Sequence, residues 1–76
     1  MSATDNAFAA QDQVVRAEQV VAGAAERYRE AERAGNNLAA RVASAHMQSA
    51  HQVYTAACDD LHSALSQFSA EIEAEL

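Results

Sequence analysis

Alanine recurs at every seventh residue through both halves of this chain, and no proline interrupts the pattern. A spacing of seven returns a side chain to the same face of an α-helix after two turns, so each half presents a continuous line of very small side chains. Two such lines allow two helices to approach each other closely, which predicts an all-α fold. The alanines in these lines are Ala10, Ala17, Ala24, Ala31, Ala43, Ala50, Ala57 and Ala64.

The alanines occupy the d position of each heptad, and most of the a positions hold larger apolar residues. These larger residues indicate how the two helices pair. In an antiparallel pair each larger side chain lies opposite an alanine of the other helix, and this alternation of large and small residues packs without voids. The centre of the resulting register lies between Gly35 and Asn36. We therefore predict an antiparallel two-helix hairpin with an alanine-rich, coiled-coil-like seam. The larger residues of this seam are Val14, Val21, Tyr28, Met47, Tyr54, Leu61 and Phe68.

The stretch ERAGNNLAAR, residues 32–41, is the predicted turn of this hairpin. Gly35 suits the left-handed position that follows a helix, and Asn36 or Asn37 can cap the helix that comes next. We expect one domain over residues 1–76, with helix 1 over about 5–34, a turn at 35–37 and helix 2 over about 38–74.

A second group of large apolar residues lies outside the seam. In the heptad frame these residues share one side of the hairpin, toward the end where the chain termini lie. A chain of 76 residues buries only about 60% of its unfolded surface, so its monomer is marginally stable and a partner is expected. We predict that two hairpins pack on this side to form a four-helix bundle dimer, either with a second copy or with a similar hairpin. The predicted partner-binding residues are Phe8, Val15, Cys58, Leu65 and Ile72.

Charge and hydropathy exclude several partners. The formal net charge is −6, which repels nucleic acid and anionic lipid. No stretch reaches the roughly 20 apolar residues that a membrane span needs, and the first ten residues do not resemble a signal peptide. We expect a cytoplasmic protein, which leaves the cell only if a non-classical secretion machine exports it.

The residues able to do chemistry are concentrated between His46 and His62. Cys58 and His62 are four residues apart and can share one side of a helix, which makes half of a metal site. That is too few ligands within one chain, and a two-helix hairpin has no cleft in which Cys58 can be activated as a nucleophile. We predict no catalytic residue, no cofactor and no metal site within one chain.

The hairpin pattern, the central turn and the run AHQVYTAACDDLHSALSQFSAEI resemble the WXG family of small type VII secretion substrates. The resemblance covers residues 50–72, where Tyr54, Leu61 and Leu65 have a comparable spacing. It implies a helical hairpin that forms a homodimer or heterodimer and leaves the cell through a dedicated machine. The turn reads AGNNL where that family has Trp-x-Gly, and the letters of its export motif, Tyr-x-x-x-Asp/Glu, occur at residues 28–32, in the predicted helix 1 and not after helix 2.

These observations favour a non-enzymatic interaction module that dimerises, as a type VII-like substrate or partner. Two alternatives stay open. One is a small acidic adaptor or antitoxin-like regulator that binds a basic protein. The other is a dimer linked by a metal ion held between the Cys58 and His62 half-sites of two chains.

Overall fold

The computed structural model describes residues 2–76 and consists of two α-helices. Helix α1 runs from Ala3–Arg33 and helix α2 from Asn37–Glu75. The helices pack against each other as a hairpin whose Cα atoms extend over 60 × 16 × 13 Å. The expected two-helix hairpin is thus confirmed, and the sequence predicted both helices to within two residues at each end. Met1, which belongs to the predicted domain, lies outside the described residues.

Helix α1 begins two residues earlier than expected because Ser2 is its N-cap. The Ser2 hydroxyl accepts a hydrogen bond of 3.2 Å from the backbone N–H of Asp5. This bond satisfies one of the four free N–H groups of the first turn, and the Asp5 carboxylate also lies at the positive end of the helix dipole.

The turn between the helices is a Schellman motif. Gly35 has a φ of 70°, a left-handed conformation that strains any residue with a Cβ. Its N–H donates to the carbonyl of Glu32, and the N–H of Asn36 donates to the carbonyl of Ala31, both at 3.0 Å. These two bonds satisfy carbonyls that would otherwise be free at the end of α1.

Asn36 ends one helix and begins the next. Its side-chain Oδ1 accepts a hydrogen bond of 3.0 Å from the N–H of Ala39, which makes Asn36 the N-cap of α2. Asn37, predicted as a turn residue, is instead the first residue of α2, because the cap one position earlier lets the helix begin there. The reversal therefore needs only three residues, 34–36, between the helices.

The interface between the helices is built from alanine. The larger seam residues that the sequence predicted, such as Val14 and Phe68, are only half-buried. No side chain of the described residues is completely buried. Because an alanine removes little apolar area from water, this core provides limited stabilisation. The buried residues of the structure are Ala3, Ala17, Ala24, Ala31, Ala43, Ala50, Ala57 and Ala64.

Across residues 2–76, neither helix combines the length and the apolar character that crossing a membrane requires.

Candidate protein-interaction surfaces

The hairpin has two apolar flanks, one on each side of the alanine interface. We call the side that carries the predicted partner-binding residues the first flank. Phe8 of α1 is 67% exposed there and Leu65 of α2 is 47% exposed. The two residues line one shallow groove, together with the half-buried rings and side chains of Leu61 and Phe68. The structure therefore brings Phe8 and Leu65 together, from positions far apart in the sequence.

The other three predicted partner-binding residues lie along the same heptad positions but do not line this groove. Val15 and Ile72 are each 44% exposed, and Cys58 is half-buried with a free thiol. Val15 and Cys58 are one heptad closer to the turn than Phe8 and Leu65, and Ile72 is one heptad closer to the open end. The first flank is thus an interrupted stripe, and its groove lies at Phe8 and Leu65.

A polar cluster lies beside Cys58 on the first flank. Hydrogen bonding with the Cys58 sulfur, together with the charges of Cys58 and Glu18, raises the pKa of Tyr54 above its ordinary value. Glu18 belongs to α1 and Tyr54 to α2, so this cluster crosses between the helices. Nearer the turn, hydrogen bonding to the Glu32 carboxylate and its charge raise the pKa of Tyr28.

The second flank, on the opposite side, was missed by the sequence analysis. Val20 of α1 is 61% exposed and Val53 of α2 is 62% exposed, and both line a groove whose floor includes Ala24 and Ala50. The signal was present in the same heptad frame: both valines occupy the g position, and g positions adjoin in an antiparallel pair just as e positions do.

The second flank continues toward the turn. Leu38 is 72% exposed and Val42 is 50% exposed, and they line an adjacent concavity. Arg27 and His46 line both concavities, so they lie where the two join. We define the second flank by the residues Val20, Gly23, Arg27, Leu38, Val42, His46 and Val53.

All the ion pairs found among residues 2–76 lie within α1 and are exposed. Arg29 and Arg33 both bind the Glu26 carboxylate, at 3.3 and 3.4 Å, and Arg16 binds Asp12 at 2.9 Å. Exposed pairs of this kind contribute little to stability.

The two other arginines, Arg27 and Arg41, have no carboxylate within ion-pair distance among residues 2–76. Arg27 therefore places on the second flank a positive charge that takes part in no ion pair.

The three histidines are exposed, and they lie apart from one another along α2. Within the described part of the chain, no three His, Cys, Asp or Glu side chains are placed to hold a metal ion together. Cys58 and His62 lie one helical turn apart on α2, as the sequence indicated. The absence of a metal, a cofactor and a catalytic activity stays a prediction.

The fold and its surfaces define a small helical hairpin with apolar, groove-bearing flanks. Comparison with models of protein families, with curated proteins and with solved structures finds no match to this chain.

Proposed function

We propose that this chain is a non-enzymatic interaction module that pairs through its first flank with a second helical hairpin, a copy of itself or a similar chain, to form a four-helix bundle. The observation that carries this proposal is the distribution of apolar residues. Among residues 2–76 every buried residue is an alanine, whereas large side chains such as Phe8, Leu65 and Ile72 are exposed. A core that leaves its largest apolar side chains in water is half of a packed structure.

The exposed area supports the same proposal. The hairpin exposes 5657 Å², whereas a compact monomer of 8.1 kDa exposes about 4,500 Å². Two hairpins together expose about 11,300 Å², twice the single value, whereas a compact protein of twice the mass exposes about 7,500 Å². A dimer reaches that value by burying about 3,800 Å² in total, which is within the range of obligate homodimers.

The first flank suits this interface better than the second because it carries the larger anchors. An aromatic residue and leucines contribute more apolar area than valines, and Leu61 and Phe68 extend the same groove inward. Two first flanks packed together bury this groove on both sides.

The acidic end of the chain favours an antiparallel arrangement of the two hairpins. Glu71, Glu73 and Glu75 are exposed in the last turns of α2, where the helix dipole is negative and no basic residue offsets it. In an antiparallel dimer these carboxylates approach the turn of the partner, where Arg41 is unpaired. A parallel dimer would bring the two acidic ends together and cost repulsion.

The proposal extends to export through a type VII-like machine, on the resemblance of residues 50–72 to the WXG family. The test is expression of the chain in a bacterium that has such a machine and in the same strain without it. Appearance in the medium only in the first strain supports export, and retention in both strains rejects it. Neither result bears on dimerisation.

The test of the interaction module is the solution mass of the purified chain over a range of concentrations, with helicity followed in parallel. A mass of twice 8.1 kDa with high helicity supports self-association. A weakly helical monomer that folds only with a basic protein favours the acidic adaptor. A dimer that needs stoichiometric zinc and dissociates with a chelator favours the metal-linked alternative.

A further inference from the structure

We propose that the second flank docks an amphipathic helix of another protein, about four turns long, with apolar residues near its two ends and a carboxylate at its centre. This surface lies opposite the first flank and is separate from the proposed dimer interface. The hairpin would then bind two partners at once, a second hairpin on one side and an acidic helix on the other.

The length of the groove sets the length of the docked helix. Along α2 it extends from Leu38 to Val53, which are fifteen steps of 1.5 Å apart, or about 22 Å. A helix lying in the groove therefore spans it with about 15 residues, of which one face contacts the groove. Its apolar residues meet Leu38 and Val42 at one end and Val20 and Val53 at the other.

Gly23 supports close approach of a helix to this flank. It is exposed in the interior of α1, where glycine favours the helix less than alanine does. The hairpin itself does not require glycine there, because an added Cβ would meet no atom within 4 Å. Gly23 also lines the groove beside Val20. A missing side chain at this place lets the backbone of a docked helix come near that of α1.

The charges of the groove define the chemistry of the partner. Arg27 and His46 lie at its middle, and the half that contains Val20 and Val53 is lined by no carboxylate. Glu30 lines the half nearer the turn. Since Arg27 has no ion-pair partner among residues 2–76, a carboxylate at the centre of the docked helix would gain an ion pair that the hairpin does not supply.

The test uses two matched synthetic helices and the full-length, isotope-labelled chain. Both peptides are alanine-rich, about 15 residues long, with leucines near each end; one carries glutamate at its centre and the other lysine. NMR titration of the glutamate peptide should shift the backbone signals of Val20, Gly23 and Val53 in a saturable way. The lysine peptide should bind at least about tenfold more weakly. Equal binding of the two peptides, or no shift at these residues with either, overturns the proposal.

Two variants and one control locate the binding. Gly23→Leu fills the groove while improving helix propensity, and it should weaken binding of the glutamate peptide at least about tenfold. Thr55→Leu, at an exposed residue of α2 that lines neither concavity and shares no heptad position with the second flank, is the matched control and should bind like the unmodified chain. Arg27→Glu should reverse the preference toward the lysine peptide. If Gly23→Leu instead lowers the solution mass of the chain without affecting the peptide, a second copy occupies this flank and the proposal is wrong.

Discussion

Leu65→Glu is the most informative test of the first flank, and the structure gives its magnitude. Complete burial of a leucine side chain contributes about 1.5–3 kcal/mol. Leu65 is 47% exposed in the hairpin, so burying the remainder in a dimer contributes about 1 kcal/mol per chain. A symmetric dimer contains two copies, and each glutamate also places an unpaired carboxylate in the interface at a cost of about 1–3 kcal/mol. The total is at least about 4 kcal/mol, so the dissociation constant should rise at least about a thousandfold.

The assay is sedimentation equilibrium over a range of chain concentrations, with far-UV circular dichroism on the same samples. Leu65→Glu should shift the monomer–dimer transition to higher concentration. Val53→Glu is the matched control because it adds the same charge to the opposite flank, where Val53 is 62% exposed. We expect this control to dimerise like the unmodified chain. If Val53→Glu dissociates the dimer and Leu65→Glu does not, the interface has been assigned to the wrong flank.

Circular dichroism adds a second result from the same variant. Helicity that falls in step with dissociation of Leu65→Glu would mean that the hairpin and the dimer fold as one unit. Helicity that persists in the monomer would mean that the alanine interface is sufficient to hold the hairpin.

Three further predictions concern the hairpin itself, and each is measured by thermal or denaturant unfolding. Gly23→Ala should stabilise the chain by about 1 kcal/mol, because Gly23 lies in a helix with open space around it. Gly35→Ala should instead destabilise the chain by about 1–2 kcal/mol, because Gly35 has a φ of 70°. A change of stability in the same direction for both variants would contradict the turn geometry. Ala50→Leu, at a position only 5% exposed, should cost about 1–3 kcal/mol by forcing the helices apart, whereas Ala45→Leu on the exposed face should change stability by less than about 0.5 kcal/mol. The pKa of Tyr54 is raised in the folded chain, so the unfolded chain loses its phenol proton first as the pH rises. The contribution of this phenol to stability should be fully present below its ordinary pKa of 10.0, and it should be lost as the pH rises through the pKa of the folded chain. Tyr54→Phe should flatten that fall, and an unchanged pH profile would show that the cluster around this phenol is not formed.

Much of the fold follows from local rules that act within a few residues. Gly35 ends α1 because only glycine adopts a left-handed conformation without strain, and Asn36 begins α2 because its side chain caps the next N–H groups. The exact boundaries depended on side-chain geometry that composition does not reveal. The Ser2 hydroxyl bonds to Asp5, so α1 begins at Ala3, and the cap at Asn36 draws Asn37 into α2.

The sequence by itself determined the helices, the turn and the line of alanines, because helix propensity, capping and heptad spacing all act along the chain. It also assigned Phe8 and Leu65 to one side of the hairpin. Only the tertiary structure decided which exposed residues form a surface. The heptad frame places Val20 and Val53 at adjoining g positions, but only the packing of the two helices shows that they share one groove with Gly23 and Arg27. A surface patch depends on the distances between residues of different helices, and the periodicity of a single helix does not determine those distances.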